Sequence, residues 1–336
     1  MTQPESNGPA SGINVVAIGG GTGLSTLLSG LKKYVATDAA AGIFIKRLSA
    51  IVAVSDDGGS SGRLRDELRM PPPGDIRNCM VALSEDSHLL SKVFKYRFSG
   101  DGDLAGHNFG NLFLAALSGV TGDFAEAVRL SSEILASKGH IYPATVSDVR
   151  IAAKLTDGTV VRGETNISKT GRAIERLYLE PDDCEPHPDS IAAIEQADII
   201  TVGPGSLYTS MLPPLLVNGV VDAIEDSPAV KIFICNLMTQ PGETDGLSAR
   251  RHLEVVRQYA PSLNFDYLIV NNRPISDVQA EKYTRDGAEQ IGVHGSIDSD
   301  LVEGATVVHN DLLEDGELVR HDPDKLAETV LQLTPG

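Results

Sequence analysis

Asn14 to Ser25 read NVVAIGGGTGLS, and this stretch decides the fold. The short, mostly apolar run Asn14–Ile18 is typical of a strand, and it stops at a cluster of glycines. Leucines then follow at helical spacing, at Leu24, Leu27, Leu28 and Leu31. The stretch therefore predicts a strand, a tight turn and a helix.

The rest of the chain extends this unit into a parallel sheet. A second apolar run, Leu48–Val54, ends in DDGGSSGR and completes a β-α-β unit with the continuous apolar strands of a sheet covered on both faces. Residues 75–137 have helical spacing. Parallel-type strands return at Ile199–Val202, Lys231–Cys235 and Tyr267–Val270. We predict the α/β class, with one doubly wound, mostly parallel sheet.

Residues 141–185 differ from this pattern. IAAKLTDGTVVRGE alternates in polarity around Asp157-Gly158, a strong β-hairpin signal, and IERLYLEP supplies a further strand. We therefore predict an antiparallel β insertion at about 141–185. The polar residues 1–12 are expected to form a disordered tail, and 13–336 a single domain, with a two-domain description as the alternative.

Composition restricts the classes of function. With 46 acidic and 28 basic residues the formal charge is −18, so the overall field repels nucleic acid and anionic lipid. Cys79, Cys184 and Cys235 are too far apart for a CxxC pair, a zinc knuckle or a disulfide framework. The N-terminus lacks the features of a signal peptide, and no unbroken apolar run reaches the ~20 residues of a membrane span. We expect a cytoplasmic protein.

The first loop that predicts chemistry is Gly19–Gly23. Glycines let a backbone approach a phosphate, and the helix that follows offers unpaired N–H groups. The dinucleotide fingerprint is excluded because its third glycine would fall on Leu24 or Thr26, and no P-loop occurs. Four glycines in five residues exceed what a turn needs, so phosphate binding is favoured over a purely structural turn.

The second loop, Asp56–Arg63, carries two adjacent carboxylates. Asp56 and Asp57 could bind Mg²⁺ or accept hydrogen bonds from a ligand, and helix capping is the structural alternative. Gly58-x-Ser60-x-Gly62 has the spacing of a hydrolase nucleophile elbow. We disfavour a serine hydrolase because the glycine run explains the spacing and no histidine is placed by local sequence to act as base.

Two further regions bring polar groups to helix starts or strand ends. Arg77, Asn108 and Asn111 are found near predicted helix starts, where an anion could bind and where Asp75 and Asn108 could instead be caps. Gly205 and Ser206 follow a later strand and could form a second anion cradle opposite the first. The next strand is followed by a polar loop that begins at Asn236.

Short segments along the chain resemble a known family: GGGTGLS, SDDGGSSGRLR, PPPGDIRN, GHNFGN, TGDF, GPGSLYTS, NLMTQPGET and RHD. They are similar to the signature segments of the YvcK-like gluconeogenesis factors, within the superfamily of CofD-like 2-phospho-lactate transferases. The resemblance runs from about Asn14 to Leu333. It implies a Rossmann-like fold, a cytoplasmic location, and a role in carbon metabolism and cell shape on gluconeogenic carbon sources.

The resemblance also implies a ligand, a UDP-sugar such as UDP-N-acetylglucosamine. Tyr283 in EKYTRDG and Arg320 in LVRHD resemble the family's candidate ligand-contacting residues. The other contacts implied by the motifs are Gly20, Gly21, Thr22, Gly23, Asp56, Asn108, Asn111, Gly205, Ser206 and Tyr208.

Two hypotheses of function follow. The first is a UDP-sugar-binding regulatory protein with no firm cofactor. The second is a transferase that moves a phospho-linked group from a nucleotide donor, with Asp56 and Asp57 holding Mg²⁺. Protein partners in cell-wall synthesis and a homo-oligomer are compatible with either.

Overall fold

The computed structural model describes residues 12–35, 44–85, 88–292 and 301–334. The predicted tail at 1–12 therefore lies, apart from Gly12, outside the described residues. The strands are β1 (Ile13–Gly19), β2 (Ile45–Val52), β3 (His140–Pro143), β4 (Arg150–Leu155), β5 (Val160–Arg162), β6 (Ile174–Glu180), β7 (Ile199–Val202), β8 (Val230–Ile234), β9 (Tyr267–Asn271), β10 (Leu301–Val302) and β11 (Ala305–Asn310).

Eight strands form the main sheet, in the order β10-β11-β9-β8-β7-β1-β2-β3. Every neighbouring pair is parallel except β10 and β11, which form an antiparallel edge. The predicted α/β class with a mostly parallel sheet is confirmed. β1 lies between β2 and β7. The chain first adds β2 and β3 on one side of β1, and later adds β7, β8 and β9 on the other side. This reversal is the topological switch point at which open α/β sheets bind ligands.

Helices cover both faces of the sheet. They are α1 (Gly21–Leu31), α2 (Gly59–Leu68), α3 (Gly74–Leu83), α4 (His88–Lys95), α5 (Phe109–Thr121), α6 (Phe124–Ile134), α7 (Glu164–Lys169), α8 (Pro188–Glu195), α9 (Leu212–Leu215), α10 (Val220–Asp226), α11 (Ala249–Tyr259), α12 (Asp277–Arg285) and α13 (Pro323–Leu331). A π-helical turn, Leu207–Met211, precedes α9.

The two faces of the sheet bury separate cores. Alternate residues of β1 divide between them, with Val16 and Ile18 in one core and Val15 and Ala17 in the other. All four side chains are almost completely buried, which explains why the strand reads as continuously apolar. Helices α1, α3 and α13 contribute to one core, and α8, α10 and α11 to the other.

The antiparallel insertion is confirmed as a separate three-stranded sheet, in the order β5-β4-β6. Its hairpin turns at Asp157-Gly158, where Gly158 has φ +85° and Asp157 accepts the Thr159 N–H. The antiparallel strands run from Arg150 to Glu180, and β3 instead pairs parallel with β2. The insertion therefore begins after Pro143, later than the predicted start at 141, because a short apolar strand looks alike in either sheet.

No single helix in the described part of the chain is long and apolar enough to cross a membrane. One pair, Leu207–Leu215 and Val220–Asp226, reaches that length and composition only when it is joined across a 74° bend.

Candidate functional site

The first glycine loop joins β1 directly to α1. Gly20 is the N-cap of α1 in an extended conformation and offers no side chain to the N–H groups of the first turn. Gly21 has φ +64°, a conformation that costs other residues backbone strain. Apart from the Gly21 N–H, which donates to Asp75, the loop therefore presents backbone N–H donors at a helix N-terminus, where an anion is stabilised.

The second glycine loop, after β7, lies against the first. A Cβ at Gly23 would be 2.4 Å from the carbonyl oxygen of Pro204, and one at Gly205 would be 3.4 Å from that of Gly20. The two loops approach this closely because neither position carries a side chain. Adjacent strands thus bring both predicted anion cradles to one place.

A cavity of about 590 Å³ opens between these loops, within the size range of small-molecule sites. We call it the glycine-loop cavity. The predicted site residues that line it are Gly20, Gly21, Thr22, Gly23, Gly205, Ser206, Asn236, Tyr283 and Arg320. Lining residues absent from the prediction include Thr26, Ser210, Met238, Thr239, Gln240 and His321.

Arg320 is the only lysine or arginine that lines the glycine-loop cavity within the described ranges. It is exposed, and the Tyr283 hydroxyl holds the adjacent backbone by accepting the Val319 N–H at 3.0 Å. His321, also in the wall, is buried, and burial lowers its pKa to about 4, so it is neutral at physiological pH. Arg320 therefore supplies the single side-chain positive charge of the cavity.

Two hydrogen bonds already hold the second glycine loop to the loop after β8. The Asn236 amide oxygen accepts the Gly205 N–H at 3.0 Å, which fixes the start of that loop to the end of β8. The Ser206 hydroxyl donates to Glu243 at 2.5 Å. Glu243 belongs to the polar loop after β8, and its role was not predicted from the sequence.

Asp56 and Asp57 follow β2, but they point to different partners. Asp56 accepts the Gly58 N–H at 2.8 Å. Asp57 accepts both the backbone N–H and the hydroxyl of Thr165, each at 2.9 Å, and so holds the N-terminus of α7. The predicted Mg²⁺ pair is therefore divided, because Asp57 serves the insertion.

A second group of acids lies beside the glycine loops: Asp56, Asp75 and Glu164, which we call the carboxylate cluster. A Cβ at Gly20 would be only 2.5 Å from the Asp75 carboxylate. Burial, with the charge of Asp56, raises the pKa of Asp75 to about 7, although a hydrogen bond from the Gly21 N–H opposes the shift. Burial, with the charges of Asp56 and Asp75, raises the pKa of Glu164 to about 8. Burial is thus the larger cause of both shifts, and repulsion between like charges adds to it.

The predicted residues on α3 and α5 lie on this side of the site. Asn108 caps α5 by accepting the Gly110 N–H at 2.9 Å, so its side-chain oxygen is occupied structurally. Asn111 is buried, and its amide nitrogen lies 3.4 Å from the Ser61 hydroxyl while its amide oxygen has no described partner. Arg77 is partly buried and contacts Asn78 at 2.6 Å. These side chains do not line the glycine-loop cavity.

Tertiary packing places a histidine beside Ser60, which local sequence did not predict. His107 Nδ1 lies 3.0 Å from the Ser60 hydroxyl, and both side chains are buried. The Asn108 N–H also donates to the Ser60 oxygen, at 3.3 Å. The pair connects the start of α2 to the cap of α5, a structural role.

Tyr208 differs from the other predicted contacts. Its side chain is 6% exposed and belongs to one of the two cores rather than to the cavity wall. Burial raises the pKa of its hydroxyl to about 12. In this conformation Tyr208 therefore supports the π-helical turn below the cradle.

Another cavity, of about 610 Å³, lies between α6 and the edge strand β3. It is lined by residues such as Arg129, His140 and Tyr142, and none of the glycine loops contributes to it. The glycine-loop cavity is the better candidate because it lies at the carboxyl ends of the strands, at the switch point.

Known proteins share this architecture. The profile of the family described as 2-phospho-L-lactate transferase CofD matches residues 15–313. The chain is 44% identical over 322 residues to the gluconeogenesis factor of Halalkalibacterium halodurans, covering 96% of this chain and 97% of that protein. It is 41% identical over 324 residues to the gluconeogenesis factor of Bacillus subtilis, covering 95% and 97%.

A solved structure agrees with the sequence comparison. The crystal structure of a Bacillus halodurans protein described as a member of the UPF0052 family superposes with a TM-score of 0.88 at 43% identity, covering 95% of this chain and 99% of that one. The predicted resemblance is confirmed. The chain belongs to the CofD family and is similar over nearly its whole length to gluconeogenesis factors.

Proposed function

We propose that the chain is a regulatory factor that binds a nucleotide-sugar, UDP-N-acetylglucosamine or a related UDP-sugar, and acts in gluconeogenic growth and cell-shape control. The observation that carries the proposal is the glycine-loop cavity, which joins two anion cradles at the switch point of the sheet. The names of the relatives support the gluconeogenic role.

The cavity suits a diphosphate in an otherwise acidic protein. The formal charge of −18 disfavours anions at long range, so binding needs a local source of positive potential. The first turn of α1 supplies oriented N–H groups, and Arg320 supplies one full charge. Asn236, Thr239 and Gln240 add neutral hydrogen-bonding groups of the kind that recognise ribose, base or sugar hydroxyls.

A thermal-shift panel tests the proposal. UDP-N-acetylglucosamine, GDP-mannose and ADP-ribose are compared at equal concentrations, because a ligand at 100 times its Kd adds about 2.7 kcal/mol to stability. We expect the UDP-sugar to raise Tm most. No shift with any of the three, or a larger shift with the GDP or ADP ligand, would contradict UDP-sugar binding.

The carboxylate cluster favours a second candidate, a transferase that uses Mg²⁺. Asp56 and Asp75 repel each other beside the glycine loops, and a divalent cation would relieve that repulsion. The buried, unpartnered oxygen of Asn111 is a further oxygen ligand on the same side. Asp57 does not fit this metal site, because its carboxylate already accepts the N–H and the hydroxyl of Thr165. Bound there, Mg²⁺ would supply charge neutralisation for a diphosphate.

Calorimetry separates the two candidates. UDP-N-acetylglucosamine is titrated with excess Mg²⁺ and with EDTA, into the wild type and Asp56→Asn. If the cluster holds a metal, affinity rises with Mg²⁺ in the wild type and this dependence disappears in Asp56→Asn. We expect little dependence on Mg²⁺, and strong dependence would place the transferase first.

A further inference from the structure

One carboxylate connects the phosphate loop to the β insertion. Glu243 accepts the Ser206 hydroxyl on one oxygen and the Ser168 hydroxyl on the other, each at 2.5 Å. Ser206 lines the glycine-loop cavity, whereas Ser168 belongs to α7 of the insertion. Three segments that are distant in sequence thus meet at a single side chain.

The backbone around Glu243 also touches the insertion. A Cβ at Gly242 would be 3.0 Å from the Ser168 carbonyl oxygen and 3.3 Å from the Gly171 backbone. At the other end of α7, Thr165 is held by Asp57. Helix α7 therefore has at least three polar attachments to the strand-end loops, because its Glu164 also hydrogen-bonds Thr209 in the turn after β7. Among the described residues, only the attachment at Glu243 reaches a residue of the cavity wall.

A bound phosphate would compete with Glu243 for the same proton. The Ser206 hydroxyl has one hydrogen, which it can donate to Glu243 or to a phosphate oxygen but not to both. A carboxylate beside a diphosphate is also repelled by it. Phosphate binding at Ser206 therefore opposes the arrangement in which Glu243 holds both hydroxyls.

We propose that Glu243 is a positioning residue that couples phosphate binding at Ser206 to the docking of helix α7. In the ligand-free protein its carboxylate holds Ser206 and Ser168 together. A diphosphate takes the Ser206 hydroxyl and displaces the carboxylate, which loosens Ser168 and the C-terminal turn of α7. The inference rests on the proposed function in one respect, that a phosphate group binds at Ser206.

The coupling must be reciprocal, since it is a free energy shared by two sites. If ligand binding breaks the Ser168–Glu243 hydrogen bond, removal of that bond destabilises only the ligand-free state. Ser168→Ala should then bind phosphate ligands more tightly, although Ser168 does not line the cavity. If Ser168 merely supported the fold, Ser168→Ala would lower the affinity for phosphate ligands or leave it unchanged.

Calorimetry with inorganic pyrophosphate tests this expectation. Pyrophosphate has neither base nor sugar, so the result does not depend on the nucleotide specificity of the cavity. We expect Ser168→Ala to bind it roughly tenfold to a hundredfold more tightly than the wild type, the range for one hydrogen bond to a charged group. Thr165→Ala is the matched control, because it weakens an attachment of α7 that does not reach the cavity wall; its affinity should equal that of the wild type.

Hydrogen exchange gives the second readout. Pyrophosphate should speed amide exchange in residues 164–169 of the wild type, and it should have little further effect in Ser168→Ala. Asp245→Asn is a control in the same loop, where the exposed Asp245 accepts the Gly242 N–H without touching α7. In Asp245→Asn, pyrophosphate should speed amide exchange in residues 164–169 as it does in the wild type.

The outcomes separate this proposal from the proposed function. Tighter pyrophosphate binding by Ser168→Ala with faster α7 exchange supports the coupling, even if UDP-N-acetylglucosamine fails to bind and nucleotide-sugar recognition is thereby contradicted. Unchanged or weaker affinity of Ser168→Ala, slower α7 exchange on binding, or no pyrophosphate binding at millimolar concentration would each overturn the coupling.

Discussion

The glycine-loop cavity and the carboxylate cluster both lie beside Gly20, and they differ in the charged groups that they hold. The cavity has backbone donors, neutral polar side chains, one cation, Arg320, and one acidic side chain, Asp286. The cluster consists of Asp56, Asp75 and Glu164, and the pKa values of Asp75 and Glu164 are raised. The cavity therefore offers an anion backbone donors and a cation, whereas the cluster offers it only carboxyl groups. The contrast predicts where a phosphate sits and which substitutions change its affinity.

The largest expected effect is at the first glycine loop. Gly21→Val should lower affinity for UDP-N-acetylglucosamine more than a hundredfold, because Gly21 has φ +64° and a branched side chain would block the approach of a phosphate. Calorimetry measures the loss. Gly122→Val is the control, since Gly122 has φ +72° and no described atom lies within 4 Å of its Cβ position. Wild-type affinity in folded Gly21→Val would contradict the cradle.

Removal of the cavity's cation should have the next largest effect. Arg320→Ala should weaken the nucleotide-sugar roughly tenfold to a hundredfold, the usual worth of a hydrogen bond to a charged group. It should weaken inorganic phosphate less, because in the proposed function Arg320 contacts the nucleotide-sugar beyond the phosphate cradle. Parallel titrations measure both losses, and Arg285→Ala, an exposed arginine paired with Glu281, is the control. Equal losses would show that Arg320 supplies only general positive charge.

The carboxylate cluster should show itself in the pH dependence of stability. The pKa of Asp75 is raised to about 7 from 3.8, so the folded protein binds this proton more tightly than the unfolded chain. Stability from this group is therefore present at low pH and is lost as pH rises toward 7. Asp75→Asn should be about 1–3 kcal/mol more stable than the wild type at pH 8, with a smaller gain at pH 5.5.

Urea unfolding at the two pH values measures this gain. Asp315→Asn is the control, because Arg273 lowers the pKa of Asp315 and its loss should give no gain at pH 8. A variant at Asp75 that is less stable than the wild type at pH 8 would contradict the raised pKa of this group.

The smallest expected effect is at Tyr283. Tyr283→Phe removes the hydroxyl that accepts the Val319 N–H, a hydrogen bond worth about 1 kcal/mol. We expect a severalfold loss of affinity by calorimetry, because the backbone that carries Arg320 loses an anchor. A loss as large as that of Arg320→Ala would mean that Tyr283 contacts the ligand directly.

Local patterns were sufficient for most of the fold. The strand over Asn14–Ile18, the glycine loops and the hairpin at Asp157 are encoded in contiguous residues, and the structure contains each of them. The place of β3 was not predictable, because a short apolar strand carries no signal of which sheet it joins. The edge pair β10 and β11 was also missed, since two short strands near the end of the chain have weak periodicity.

The candidate site was predictable in its loops but not in its contacts. Glycines and polar strand ends identified about a third of the cavity wall, and the family resemblance added Tyr283 and Arg320. The partners of Asp57 and Ser60 depend on tertiary packing, since Thr165 is 108 residues from Asp57 and His107 is 47 residues from Ser60. For the same reason the sequence did not distinguish Tyr208, which is buried in the core, from Tyr283, which lines the cavity.

The most direct test of the central claim uses the glycine amides themselves. Protein labelled with ¹⁵N at glycine is titrated with UDP-N-acetylglucosamine, and the amide resonances are followed by NMR. We predict that Gly21, Gly23 and Gly205 in the glycine-loop cavity shift most, while Gly58 and Gly62, on the side of the carboxylate cluster, shift little. Large shifts at Gly58 and Gly62 with no change at Gly21, Gly23 and Gly205 would contradict the account.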